Sequence, residues 1–251
     1  MELLVLASTL SFMVVGGLVG VRLLLLSRRT HQLPELAIGL GLVLIAPVGY
    51  PLMLAATVPD LFPLPAARLL YAASMLVTAV GSSAIFVFTW RVFRPSEAWG
   101  AALAAVCIVA LLVQGVASSL LAFLVPTLEM MNQASLWFAT RQAAIMLSYG
   151  WTAVESIRYV VLMRRRRALG LADPVIANRF LLWGVAGVLS FTASGVMTAV
   201  VLAGGDPVHS ALARVAIGAG GFFVSVSLYL AFMPPAAYLR WVGAASARAT
   251  S

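Results

Sequence analysis

The segment LLVLASTLSFMVVGGLVGVRLLLL, Leu3–Leu26, runs directly into Ser27-Arg28-Arg29. Arg22 is its only charged residue. At about 1.5 Å rise per residue, a helix of this length spans the roughly 30 Å hydrocarbon core of a bilayer. It is too long for the apolar region of a signal peptide and lacks a basic region in front. The arginine pair behind it reads as a stop-transfer signal. The segment is therefore expected to stay in the protein as a membrane span.

Working outward, six more apolar stretches follow: Leu36–Thr57, Arg68–Trp90, Trp99–Val125, Leu136–Met163, Phe180–Ala203 and Ser210–Met233. The predicted fold is all-α, a polytopic membrane protein with seven transmembrane helices. Composition agrees, with 63% hydrophobic and 10% charged residues and a mean hydropathy of +1.04. Soluble domains carry about 25% charged residues. The numbers exclude a soluble domain, a disordered chain, a coiled coil, a disulfide scaffold and a secreted enzyme.

The net charge of +8 is an orientation signal, and no nucleic-acid partner is expected. Every basic residue is arginine, and most sit at the ends of apolar runs. Arg28 and Arg29 follow the first span, Arg91 and Arg94 the third, Arg164, Arg165, Arg166 and Arg167 the fifth, and Arg240 the seventh. The alternate loops hold Asp60, Glu129 and Asp206. The positive-inside rule then places the N-terminus outside and the C-terminus inside. Trp90, Trp99, Trp183 and Trp241 are expected at the cytoplasmic interface and Trp137 at the opposite one. Pro234-Pro235 ends the seventh helix, and Tyr238, Arg240 and Trp241 beyond it read as an interfacial anchor. The absence of lysine suggests a high-GC bacterial gene, hence a cytoplasmic (inner) membrane. Cys107 reads as a small core thiol.

An offset of 146 residues matches Gly41 with Gly187, Gly49 with Gly195, Asp60 with Asp206, Ala67 with Ala213, Arg68 with Arg214 and Phe86 with Phe232. An offset of 136 matches Arg22 with Arg158, Leu26 with Leu162, Arg28 with Arg164 and Arg29 with Arg165. This predicts one seven-helix domain over 1–251, built as a parallel 3+1+3 internal repeat. The first triplet covers 1–95, a linker helix 96–134, the second triplet 135–233 and an interfacial tail 234–251. In this architecture the chain resembles the broad superfamily that links SWEET-type sugar transporters, microbial rhodopsins and receptor-like seven-helix proteins. The resemblance covers the whole chain but no motif. The Pro-Gln dipeptide of PQ-loop transporters does not occur, and no lysine is present for a retinal Schiff base. No functional residue carries over, and covalent retinal is excluded.

The fifth span holds the main candidates. Arg141, Ser148, Thr152, Glu155 and Tyr159 fall on one helical face at 100° per residue, with Arg158 three residues from Glu155. A polar face on a membrane helix should point inward, because a lipid-exposed charge costs on the order of 3 kcal/mol. The stripe reads as a ligand or ion pocket. The alternative is an interfacial arginine at each end, with Glu155 paired to Arg158. Arg214, in the stripe Ser210, Arg214, Gly218, Gly221 and Ser225, mirrors Arg68. Both either snorkel to the outer interface or form symmetric gates. Gly16 and Gly20 read as close helix packing. Gln114 with Ser118, and Ser190 with Ser194 and Thr198, read as interhelical hydrogen bonds. Pro47, Gly49 and Pro51 predict a hinge or break in the second span, with Tyr50 inside it. Arg164–Arg167 are expected to meet anionic lipid at the cytoplasmic face, or else a cytoplasmic partner protein.

Enzyme readings fail on placement. Asp60, Asp173 and Asp206 lie in loops, so no intramembrane aspartyl dyad forms. Ser194 and His209 are about 22 Å apart along a helix axis. His31 and His209 fall on opposite sides, which removes a bis-histidine haem. Glu155 is the only carboxylate inside a span, which does not make a proton pump. No cofactor or metal is expected. The leading expectation is a receptor-like or sensory protein binding a small apolar or amphiphilic, lipophilic ligand in the bundle. Its support is asymmetry: Val5, Phe12 and Val19 stand opposite Arg141, Ser148 and Glu155 in the repeat, and Ala193 and Met197 opposite Pro47 and Pro51. The alternatives are a small neutral-solute transporter and a non-catalytic accessory subunit.

Overall fold

The structure is a computed structural model that describes residues 2–58, 61–128, 136–169, 171, 173–207 and 209–248. Within these, the side chains of Glu2, Arg167, Ala168 and residues 244–248 stay outside the description. Asp60 and Glu129, expected as outer-loop acids, lie outside the described residues, as does the Arg167 side chain. The described secondary structure is all helical: α1 (Glu2–Thr30), α2 (Leu33–Thr57), α3 (Leu64–Phe93), α4 (Ala98–Leu124), α5 (Leu136–Ala168), α6 (Pro174–Leu202), α7 (Ala211–Phe232) and α8 (Ala236–Arg248).

Among the described residues, six helices are long and apolar enough to cross a membrane: α1, α2, α3, α4, α6 and α7. The chain is a helical membrane protein. The fifth expected span, α5, has 33 residues, ample length, but it is not among those six. Arg141, Glu155 and Arg158 dilute its apolar content.

Local signals start the helices where the sequence places them. Proline occupies the first turn of α2, α3 and α6, where its missing N–H leaves no bond unmade. Asp173 caps α6 by accepting from Val175 N at 2.8 Å, and Ser210 caps α7 by accepting from Ala213 N at 3.3 Å. Pro234-Pro235 ends α7, and the chain re-enters a helix at Ala236. Asn178 Nδ2 of α6 donates to the Tyr238 hydroxyl of α8 at 2.9 Å, which ties the tail to the bundle.

The helices pack in chain order, each against the next from α1 to α7, and α7 returns to α1 to close a ring. α3 also reaches across to α5. Val19, Leu23, Ile38, Leu42, Ile85, Trp183, Ala186, Val224 and Leu228 form one core between α1, α2, α3, α6 and α7. Phe86, Ala104, Cys107, Leu111, Ala144 and Trp151 form a second between α3, α4 and α5. The free Cys107 thiol is buried there.

The faces are sorted opposite to a soluble protein. On α4, Val106, Val109, Val113, Val116 and Leu120 face outward, while Gly100, Ala104, Cys107, Gln114, Gly115, Ser118 and Ser119 are buried. On α1 the outward row is Leu10, Val14, Leu18, Val21 and Leu25. Large aliphatics outside and small or hydroxylated residues inside suit acyl chains as solvent and close helix contact as glue.

Glycines set the closest approaches. A Cβ on Gly20 would lie 3.0 Å from Gly39 O, and one on Gly39 would lie 3.0 Å from Gly20 O. A Cβ on Gly16 would meet Ala46 Cβ at 2.6 Å. Gly16 and Gly20 thus do pack helices closely. The glycines matched by the repeat face different partners. Gly41 abuts Gly81 O of α3, whereas Gly187 abuts Tyr149 O of α5.

Two expectations are corrected. The second span is not broken at Pro47. Leu44–Gly49 widens into a π-helical turn within a continuous helix, and Tyr50 N–H donates to Ile45 O. The wider ring accommodates the missing proline donors without leaving the helix. Trp183 does not face the interface. It is buried against Phe88 and Phe232, with ring centroids 5.5 and 5.7 Å away.

Candidate functional site

Two clusters gather the polar residues of the bundle, one toward each end. The first lies at the arginine-rich end, where α3 stops and α5 passes. Glu155 is buried on the inward face of α5. Its carboxylate accepts from Arg94 Nε at 2.9 Å and Arg94 Nη2 at 3.1 Å, a bidentate pair across α3 and α5. Arg158, the partner expected from sequence, is 3.9 Å from Glu155 and largely exposed. The expected pair is therefore present but long, and Arg94 adds the closer one for a geometric reason. A neighbour three residues along its own helix cannot present two nitrogens to a carboxylate that points across the bundle.

The surroundings complete the first cluster. Arg94 follows the last turn of α3, caps it by donating N–H to Trp90 O, and stacks over Trp99 at 5.4 Å. Glu97 lies 3.8 Å from Arg94 Nη1. Hydrogen bonding to Glu155 pushes the Arg94 guanidinium above its ordinary value, so it stays charged. One turn deeper, Thr152 and Thr89 share a buried 2.8 Å hydrogen bond. Tyr159 packs on Phe180 and Phe93 at 4.5 and 6.0 Å. It is part of an aromatic contact between α3, α5 and α6.

The second cluster lies in the opposite half of the bundle. Arg141 of α5 acts electrostatically on the hydroxyls of Tyr50 on α2, Tyr71 on α3 and Tyr149 on α5. Tyr50 also acts on Tyr149. Among the described residues, Arg141 forms no ion pair. Tyr50 stays 42% exposed although Phe12 of α1 packs on it at 5.5 Å. Ser148 is buried between the two clusters. Gln142 donates to Thr198 of α6 at 3.1 Å, the interhelical bond that the polar residues of α6 suggested. Gln114 and Ser118 instead bond within α4, at 2.8 Å.

The other candidates stand apart. Arg68 donates to Val125 O at 2.7 Å, which joins α3 to the end of α4. Arg214 donates to His209 O at 3.4 Å, next to the 2.6 Å contact of His209 with Asp206. Pro47, Gly49 and Pro51 lie on the α2 wall, where Gly49 lets Thr78 of α3 approach. Arg164, Arg165 and Arg166 are exposed at the end of α5.

Sequence reasoning missed Arg94, Tyr71 and Tyr149. Arg94 was visible only as a loop charge. Its signal was depth, since a buried carboxylate near the arginine-rich end needs a base at that level. Tyr149 stands one residue off the polar stripe, and Tyr71 carried no signal. No protein-family model, curated protein or solved structure matches the chain. The fold and site define a helical membrane protein with a buried interhelical ion pair and a half-buried arginine within electrostatic range of three tyrosines.

Proposed function

We propose that the chain is a receptor-like seven-helix membrane protein, N-terminus outside and C-terminus inside, in which α5 also spans the membrane and brings the six apolar spans to seven. In this reading it binds a small amphiphilic ligand inside the bundle. The observation that carries the proposal is the placement of Arg141. It is a half-buried cation on a membrane helix, within electrostatic range of three tyrosines, with no carboxylate partner among the described residues. A charge at such depth is costly unless it serves a ligand or a pathway. An anionic head group would meet the guanidinium and the tyrosine donors, and Phe12 with the aromatic face of Tyr50 would cover its apolar body. The parallel 3+1+3 repeat is part of the same proposal.

The test is thermal stabilisation of the purified protein by matched alkyl carboxylates and alkyl alcohols. The carboxylates should stabilise it, and the alcohols should do so less. Arg141→Gln should remove the difference. Equal stabilisation by both series, or an unchanged response in Arg141→Gln, overturns the head-group assignment. Solute flux into proteoliposomes that Tyr50→Ala abolishes would make the protein a transporter instead. Cysteine labelling that placed the loop of Arg164–Arg167 outside would overturn the orientation.

A further inference from the structure

The outward face of α5 carries a shallow, open groove between its own side chains near its arginine-rich end. Ile157, Arg158, Val161, Leu162 and Arg165 line it, around a volume of about 300 Å³. Their spacing of three, four and seven residues puts them on one helical face. Ile157, Val161 and Leu162 form an exposed apolar floor. Arg158 and Arg165 bracket it, two turns or about 10 Å apart along the axis.

The charge at this groove is unbalanced. The carboxylate nearest Arg158 is Glu155, at 3.9 Å, and Arg94 already holds that group through two hydrogen bonds. Arg165 is exposed and forms no ion pair among the described residues. The groove therefore pairs two exposed guanidinium groups, of which Arg158 keeps only a long contact to the already paired Glu155, with an aliphatic floor where α5 leaves its apolar stretch. That combination fits a molecule with an anionic head and an acyl chain.

We infer that this groove binds one anionic phospholipid from the leaflet on the arginine-rich side. Its phosphate lies between Arg158 and Arg165, and an acyl chain runs along Ile157, Val161 and Leu162. A zwitterionic lipid brings an ammonium group that the arginine pair repels. Inorganic phosphate has nothing to place on the floor. The site is defined by a groove, unlike diffuse attraction to the whole basic loop. It does not depend on a ligand inside the bundle.

The experiment is native mass spectrometry and thermal melting of the full chain in neutral detergent. Phosphatidylglycerol and phosphatidylcholine of identical acyl chains are titrated, with inorganic phosphate as a third arm. The expected result is one retained phosphatidylglycerol per chain and selective stabilisation by that lipid. Arg158→Gln with Arg165→Gln should weaken it about thirtyfold. Arg164→Gln with Arg166→Gln, off the groove, should weaken it far less. Arg165→Gln alone leaves the Glu155 contact intact and should weaken binding about fivefold. Equal loss in the two double variants, equal binding of phosphatidylcholine, or the same stabilisation by inorganic phosphate would each overturn the inference.

Discussion

Arg94→Gln should be among the most damaging single changes at the arginine-rich end. The Glu155 side chain is 7% exposed and that of Arg94 19%, and two hydrogen bonds of 2.9 and 3.1 Å join them. Removing one member of a buried pair costs about 3–5 kcal/mol, because it strands the other charge. Partial access of Arg94 to solvent sets the value here near the lower end, about 3 kcal/mol. Arg158 does not compensate, since its contact is long and its side chain 65% exposed. Arg158→Gln should therefore cost under about 0.5 kcal/mol. Glu155→Gln keeps one acceptor and leaves Arg94 beside Glu97, so it should cost about 2 kcal/mol. The double variant leaves no stranded charge and should cost about 3 kcal/mol, short of the additive 5, which is a coupling of about 2 kcal/mol. The assay is equilibrium unfolding in mixed micelles with SDS as denaturant, over the four-member cycle. Additive costs, or a larger loss in Arg158→Gln than in Arg94→Gln, would refute the assignment of Arg94 as the partner.

Two smaller perturbations test the packing in the same assay. Gly39→Ala puts a methyl group 3.0 Å from both Gly20 O and Leu24 N, so α1 and α2 must separate at a cost of about 1–3 kcal/mol. Gly243→Ala meets nothing within 4 Å and should be neutral or stabilising by under about 1 kcal/mol; equal effects of the two would show that the α1–α2 crossing is not tight. Thr152→Val removes the bond to Thr89 and should cost about 0.6 kcal/mol, the mean for interhelical hydrogen bonds in membranes. A cost above about 2 kcal/mol would mean that the hydroxyl pair belongs to a larger network.

Much of this protein is legible in its sequence. The row Leu3–Leu26 and its counterparts require helices, because a bilayer offers the backbone no other hydrogen-bond partner. Gly16 and Gly20 announced a close crossing by their size. The polar stripe of α5 announced an inward face, and Ser148, Thr152 and Glu155 are indeed buried. The misreadings share one cause. Periodicity assigns a residue to a face of its own helix but says nothing about what stands opposite. Trp183 has an interface residue's chemistry and a bundle neighbour's position, against Phe88 and Phe232. Pro47 signals a lost donor, and whether the helix breaks or widens depends on how its neighbours hold it.

The sequence by itself determined the solvent of this protein, because apolar length and charge scarcity are properties of the chain alone. It also determined which helix carries the unusual polarity. Only the tertiary structure decided the partners. Glu155 belongs to Arg94, 61 positions away, because α3 crosses α5 at that level. Arg141 comes within electrostatic range of tyrosines from α2 and α3 as well as its own helix. A charge–partner distance depends on how helices rotate and cross, and glycine contacts and ring closure across the whole bundle fix those angles.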